Sequence, residues 1–254
     1  MLRILRLGNS NDAVLAIPEH LRAPSIADAM LAEASGEQVE AVNKTMWPTP
    51  DFPEILDRWL DRYAPDVVLM QINAYWYAYP RLLLSMRHLP MLGRFASRAE
   101  AKLANSPGIA LSRPVVLLRD QLMRVFGGTT AFSPEQVGDV VEASLRVVLA
   151  RESIGVGVRG PFFALAEEFG GRAGRRAVST HSQVYLDVER RCARLMVPFE
   201  GRNPGIPMGG SGSYLKDRMH LNEGGQALRG QMEGRVLVRA WEQTGLVERP
   251  VDSA

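Results

Sequence analysis

Val67-Val68-Leu69-Met70-Gln71-Ile72 is a nearly continuous apolar run, and no other segment constrains the fold as much. A strand apolar on both sides has no face to offer water. It belongs inside a parallel sheet with helices above and below. The flanks agree. Phe52 to Tyr63 places Ile55, Leu56, Trp59, Leu60 and Tyr63 on one side of an amphipathic helix, which Ala64-Pro65-Asp66 ends. Upstream, Leu2 to Leu7 is a short β-prone segment closed by Gly8. Pro24 to Ala34 has helical spacing, with Ser25 as the expected N-cap and Gly36 as the stop, and Gln38 to Asn43 reads as a second strand. From Leu2 to Ile72 the chain therefore repeats a βαβ unit.

The alternation stops between Tyr75 and about Ser153, where Pro80, Pro90, Pro107, Pro114 and Gly127-Gly128 break the chain. Within this insertion Ser133-Pro134 starts a helix expected to reach Arg151, with Ser as N-cap and Pro at the first helical position. The insertion also carries Arg81, Arg87, Arg94, Arg98, Arg113, Arg119 and Arg124 beside apolar stripes. Solvated faces of amphipathic helices account for such a pattern. So does a helical lid over an anionic or lipid-like substrate. Alternation resumes with a strand at Ile154 to Val158, a helix at Gln183 to Ala193, a strand at Leu195 to Phe199, a Gly/Pro-rich loop at Gly201 to Gly212 and a last helix at Asn222 to Trp241. A chain of 254 residues has room to bury all of this in one α/β domain.

Bulk properties remove several function classes. The formal net charge is +2, so nothing asks for a nucleic-acid partner. Cys192 is the only cysteine, which rules out an intrachain disulfide and argues against a thiolate metal cluster. Met1 to Leu7 is too short for a signal-peptide core, and no apolar run is long enough for stable membrane insertion, so a cytoplasmic protein is expected. The four histidines are scattered, H-E-x-x-H is absent, and neither a metal nor a cofactor is expected. G-x-S-x-G is absent too. Gly155-Val156-Gly157-Val158-Arg159-Gly160 fits G-x-G-x-x-G, but a nucleotide fingerprint follows a strand and opens a helix. Here the first glycines fall within the expected strand, and Pro161 follows.

Three positions can carry chemistry. Ser10 follows the first strand, at the edge of the sheet where open α/β folds bind ligands. A serine hydroxyl there is either a nucleophile awaiting a base or an ordinary loop residue capping a helix. Asp217 and His220 are close enough in sequence to leave one turn on the same side. An imidazole whose second nitrogen is held by a carboxylate can take a serine proton; the pair can equally be incidental surface residues. Asn73 follows the central strand, where its amide can donate to an oxyanion or satisfy strand-end backbone groups.

Their order resembles that of the SGNH hydrolases, also called GDSL esterases/lipases. Gly8-Asn9-Ser10 stands where that family has Gly-Asp-Ser. Pro65-Asp66 through Asn73 looks like its apolar strand ending in Asn, and Asp217-Arg218-Met219-His220 followed by Leu221-Asn222-Glu223-Gly224-Gly225 looks like its Asp-x-x-His block. The resemblance covers residues 1–75 and 154–243. It implies a flavodoxin-like α/β/α sandwich with a parallel central sheet, here interrupted by a helical insertion at about 75–153. It also implies a serine-dependent ester hydrolase with Ser10 as nucleophile, His220 as base, Asp217 orienting the imidazole, and the Ser10 amide and Asn73 side chain as oxyanion donors. Asn9, Trp47, Tyr75 and Trp76 are the candidate substrate contacts, although the aromatics after Asn73 equally suit packing. The expected partner is a small acyl ester or an acylated sugar or metabolite.

The departures bear on chemistry. Asn9 replaces the usual Asp, and Gln71 replaces a Gly that commonly lies two residues before the Asn. The family's second block supplies a Gly amide to the oxyanion hole, whereas Asn43 to Pro48 contains no Gly. Proline has no N–H to give. An acyltransferase or metabolite-tailoring enzyme on the same fold, and a non-catalytic binding protein, are the alternatives these departures leave open.

Overall fold

The computed structural model describes residues 1–8, 12, 16–77, 131–161, 171–201 and 221–244, with residues 75 and 171–177 described in backbone only. Five strands form one parallel sheet: β1 Leu2–Gly8, β2 Val39–Thr45, β3 Val67–Gln71, β4 Gly155–Arg159 and β5 Phe199–Glu200, in the spatial order β2-β1-β3-β4-β5. Among the described residues five helices accompany them: α1 Ala23–Ser35, α2 Phe52–Tyr63, α3 Pro134–Leu149, α4 Gly171–Arg194 and α5 Glu223–Glu242. Short 3-10 turns lie at Glu19–Leu21 and Ala74–Trp76. The order reverses at β1, so the crevice between β1 and β3 is the switch point where such sheets bind ligands.

The sheet separates two cores. One side packs Leu5, Leu7, Val68, Met70, Ile72, Val156 and Val158 against α2, α3 and α4 through residues such as Leu56, Leu60, Val141, Leu145, Val184 and Val188. The other packs Leu2, Ile4, Val67 and Leu69 against α1 and α5 through Ala27, Leu31, Val236, Leu237 and Ala240. Every residue of β3 and β4 is buried, as the central apolar run predicts. Gly155 and Gly157 lie inside β4, where α5 crosses closely. A Cβ at Gly155 would lie 2.2 Å from the Ala240 carbonyl oxygen, and one at Gly157 2.3 Å from Val236 Cγ1. These glycines serve helix–sheet contact, in keeping with the reading of G-x-G-x-x-G as a decoy.

Several sequence expectations hold. α2 runs as predicted, Ser133 caps α3 in a full capping box with Gln136, and Gly36 ends α1 in the left-handed region at φ 70°. Others are corrected. Ser25 is not the cap of α1, which begins at Ala23 after Arg22. Its leading amide is satisfied from across the fold: Ala23 N–H donates to Gln226 Oε1 of α5 at 2.9 Å. α4 starts at Gly171, well before Gln183, and the last strand starts at Phe199 rather than Leu195. The amides of Leu195, Met196 and Val197 all donate back to carbonyls at the end of α4, and Met196 sits at φ 56°, so this stretch closes the helix. The described end of the expected insertion, α3, packs into the sandwich layer with α2 and α4. Residues 78–130, which hold most of the arginine-rich stretch and the candidate lid, lie outside the described residues. No described helix is long and apolar enough to cross a membrane.

Candidate active site

The carboxyl edge of the sheet gathers the segments that the sequence singled out. Gly8 ends β1 and pairs with Thr45 at the end of β2. Beyond Thr45 the chain turns through Met46, Trp47 and Pro48, with Met46 and Pro48 buried and Trp47 40% exposed. Asn73 is half-buried just past β3, after Ile72 has donated its amide to the Arg159 carbonyl at 2.9 Å. α5 begins at this edge as well. Asn222 is its N-cap and accepts from the Gly225 amide at 3.0 Å. In the chain, Ser10 lies between Gly8 and Asp12, and His220 lies two residues before Asn222. Asn9, Ser10, Asp217 and His220 themselves lie outside the described residues. So do residues 202–212 of the Gly/Pro-rich loop expected at Gly201 to Gly212.

The aromatic candidates divide. Trp47 presents surface at the end of β2. Trp76 is 2% exposed and, with the wholly buried Tyr77, belongs to the core under α3 and α4. Packing accounts for both. The Tyr77 hydroxyl lies 3.2 Å from His181 Nδ1 of α4. Burial pushes the phenol well above its ordinary range and pulls His181 down to about 4, so both are neutral at pH 7.

One feature of this edge was not legible beforehand. On the side facing α1 and α5, the strands begin apolar or glycine and turn polar toward their carboxyl ends: Asn43 on β2, Arg6 on β1, Gln71 on β3 and Arg159 on β4. Arg6 donates to Asn43 Oδ1 at 3.2 Å and pairs with Asp28 of α1. Burial raises the Asp28 carboxyl above its usual value although Arg6 opposes the shift. Arg159 Nε donates to Glu233 Oε1 of α5 at 3.3 Å, and its Nη1 to the carbonyls of Ile72 and Gly160 at 3.2 and 2.9 Å. Arg229 of α5 donates through Nε to Glu233 Oε1 at 2.7 Å, and through Nη2 to both Gln71 Oε1 and Asp12 Oδ1. Burial lowers Arg159 to about 10, helped by the neighbouring Arg229 charge. For Arg229 burial also disfavours the charge, but Asp12 and Glu233 outweigh it and hold the guanidinium above its ordinary value.

Asp12 is drawn tightly under the end of β1: a Cβ at Gly8 would lie 1.7 Å from Asp12 Oδ2. A side chain at position 8 would therefore force the Asp12 carboxylate to shift, a reason for glycine beyond turn conformation. Gln71, where the SGNH pattern has Gly, spans this layer by accepting from both Arg229 and Arg159. The signals in the sequence were polar side chains where a strand should be apolar, at Arg6 and Gln71, and the Arg229–Glu233 spacing on one helix face. Among the described residues no group of three or more His, Cys, Asp or Glu side chains could hold a metal ion.

No family model and no curated protein sequence matches the chain. Solved structures do. A psychrotrophic esterase from Pseudoalteromonas sp., in a structure inhibited by monoethylphosphonate, is 13% identical at a TM-score of 0.52, with 94% of this chain and 98% of that one covered. The aryl esterase of M. smegmatis is 12% identical at a TM-score of 0.50, with 96% and 100% covered. At such identity the likeness is one of fold, and it runs over nearly the whole of both chains. The parallel α/β arrangement expected from the sequence is thereby shared with these two structures.

Proposed function

We propose that this chain, which has the fold of the SGNH esterases, is a serine-dependent hydrolase of small acyl esters. The observation that carries the reading is the carboxyl edge of the sheet. Gly8 ends β1, Asn73 lies two residues past the end of the adjacent β3, and α5 starts at the same edge three residues after His220. In this reading Ser10 attacks the acyl carbonyl, His220 accepts its proton and returns it to the leaving alcohol, and Asp217 holds the imidazole in the required tautomer. The Ser10 amide and the Asn73 side chain donate to the oxyanion, and water releases the acyl-enzyme. The phosphonate bound by the Pseudoalteromonas esterase suggests the probe.

A fluorophosphonate should label Ser10, identified by peptide mass spectrometry. Ser10→Ala should abolish both the label and the cleavage of short-chain aryl esters, and His220→Ala should slow both by about 10⁴-fold or more. Ester cleavage that survives Ser10→Ala removes Ser10 as nucleophile. Absence of label on the wild type favours the non-catalytic binding alternative.

Pro48 favours a second reading. It is buried three residues past the end of β2, and if it occupies the position of the family's second-block Gly it supplies no N–H there. Loss of one oxyanion donor costs about 10²–10³ in rate. A site so weakened toward water would suit an acyltransferase, whose acceptor alcohol or amine brings binding energy of its own. Acyl transfer to an added acceptor that exceeds hydrolysis supports that reading.

A further inference from the structure

Asn9, Ser10 and Asn11 form a three-residue span between two anchored neighbours. On one side Gly8 is held in the sheet by its pairing with Thr45. On the other, Asp12 keeps its carboxylate against Gly8 and accepts from Arg229, a side chain only 2% exposed. Arg229 is itself fixed on three sides, since it also donates to Glu233 one turn along α5 and to Gln71 at the end of β3. The same helix begins three residues after His220. One guanidinium thus ties the segment that carries Ser10, the strand that leads to Asn73, and the helix that follows His220.

We infer that Asp12 and Arg229 form a latch that positions Ser10 against the acid–base side of the site. Both are positioning residues, and neither is placed in contact with the substrate. The inference rests on Ser10 being the nucleophile, as proposed above. A charge-assisted hydrogen bond that is largely shielded from solvent suits the role, being strong and directional. Its cost is also informative. A buried ion pair contributes little net stability compared with apolar packing, so this one is better explained by the geometry it imposes.

The test uses the full chain and three variants: Asp12→Asn, Arg229→Lys and Asp12→Asn/Arg229→Lys. A fourth, Glu142→Gln, breaks an ion cluster between α3 and α4 on the other side of the sheet and serves as control. Rates are read on protein with native circular dichroism and a cooperative melt. Displacement of a nucleophile by about 1 Å costs about 10²-fold. Asp12→Asn should therefore slow fluorophosphonate labelling of Ser10, and lower kcat for an aryl ester, by about 10–100-fold, with KM within about twofold of wild type. Arg229→Lys should do the same, because an ammonium cannot fork to Asp12, Gln71 and Glu233 together. The double variant should fall no further than the slower single one, since either change removes the same contact. Glu142→Gln should label at the wild-type rate.

If the wild type labels at Ser10 and both single variants label equally fast, the latch is overturned and the hydrolase reading stands. Equal slowing in the Glu142→Gln control overturns it too, because the loss would then follow general destabilisation. A wild type with no label at Ser10 overturns the hydrolase reading, and the latch with it, before any variant is considered.

Discussion

His181 illustrates how burial turns a single residue into a pH sensor for the whole fold. It is 2% exposed, and burial lowers its pKa to about 4, against about 6.5 for a free imidazole. The unfolded chain therefore takes up the proton first as pH falls. This contribution to stability is fully present above pH 6.5, declines as pH drops toward 4, and is gone below that. Between pH 8 and pH 5 the loss amounts to about 2 kcal/mol, since a slope of about 1.4 kcal/mol per pH unit acts only below about pH 6.5. Urea unfolding at the two pH values should show this loss in the wild type and a smaller one in His181→Gln. Identical pH dependence in the two proteins would sink the assignment. His181 also marks a limit of sequence reading. It is one of four scattered histidines, and only the packing of α4 over Tyr77 distinguishes it from a surface residue.

At the scale of elements, helix–sheet spacing depends on small residues. α5 crosses β4 so closely that a Cβ at Gly155 would meet the backbone oxygen of Ala240. Backbone has no rotamer to yield, so the helix itself must move. Gly155→Ala should destabilise the protein by about 1–3 kcal/mol, the usual cost of overpacking a core. An unchanged midpoint in denaturant would mean that α5 can shift without loss. The elements themselves were largely legible. An apolar run, a 3.6-residue period and a Ser-Pro cap signal local preferences that the fold keeps in β3, α2 and α3. The boundaries that failed were set from a distance. α1 starts at Ala23 because Gln226, far along the chain, accepts from its first amide. β5 starts late because the chain first closes α4.

At the scale of the fold, the ionic layer links β1, β3 and β4 to α1 and α5 beside the apolar core on that side of the sheet. Three guanidinium groups, on Arg6, Arg159 and Arg229, lie among three carboxylates, on Asp12, Asp28 and Glu233, beneath the carboxyl edge of the sheet. Glu233 is the shared centre, accepting from Arg159 and Arg229 while wholly buried. Removing its charge leaves two guanidinium groups facing one another with little water. Glu233→Gln should therefore cost about 3–5 kcal/mol, the range for breaking a buried pair from one side. Replacing Glu142, on the more exposed cluster of α3 and α4, should cost less. Similar losses in the two variants, measured by denaturant unfolding, would show that the layer is not electrostatically coupled.

The residues by themselves determined the class of fold, because hydrophobic period and turn chemistry are local properties and a doubly covered strand admits few architectures. They also determined which short motifs to compare, since Gly8-Asn9-Ser10, Asn73 and Asp217 with His220 occur in a recognisable order. They left open whether Trp76 faces substrate or core, why Gly8 is glycine, and what Gln71 does in place of a small residue. Those answers needed the tertiary structure, because each depends on groups brought together from distant parts of the chain. Trp76 is buried beneath α3 and α4, Gly8 makes room for a carboxylate, and Gln71 accepts from two arginines on separate elements. A charged side chain in a strand looks like a solvated position until the fold supplies its counter-charge, and that pairing is a property of three dimensions alone.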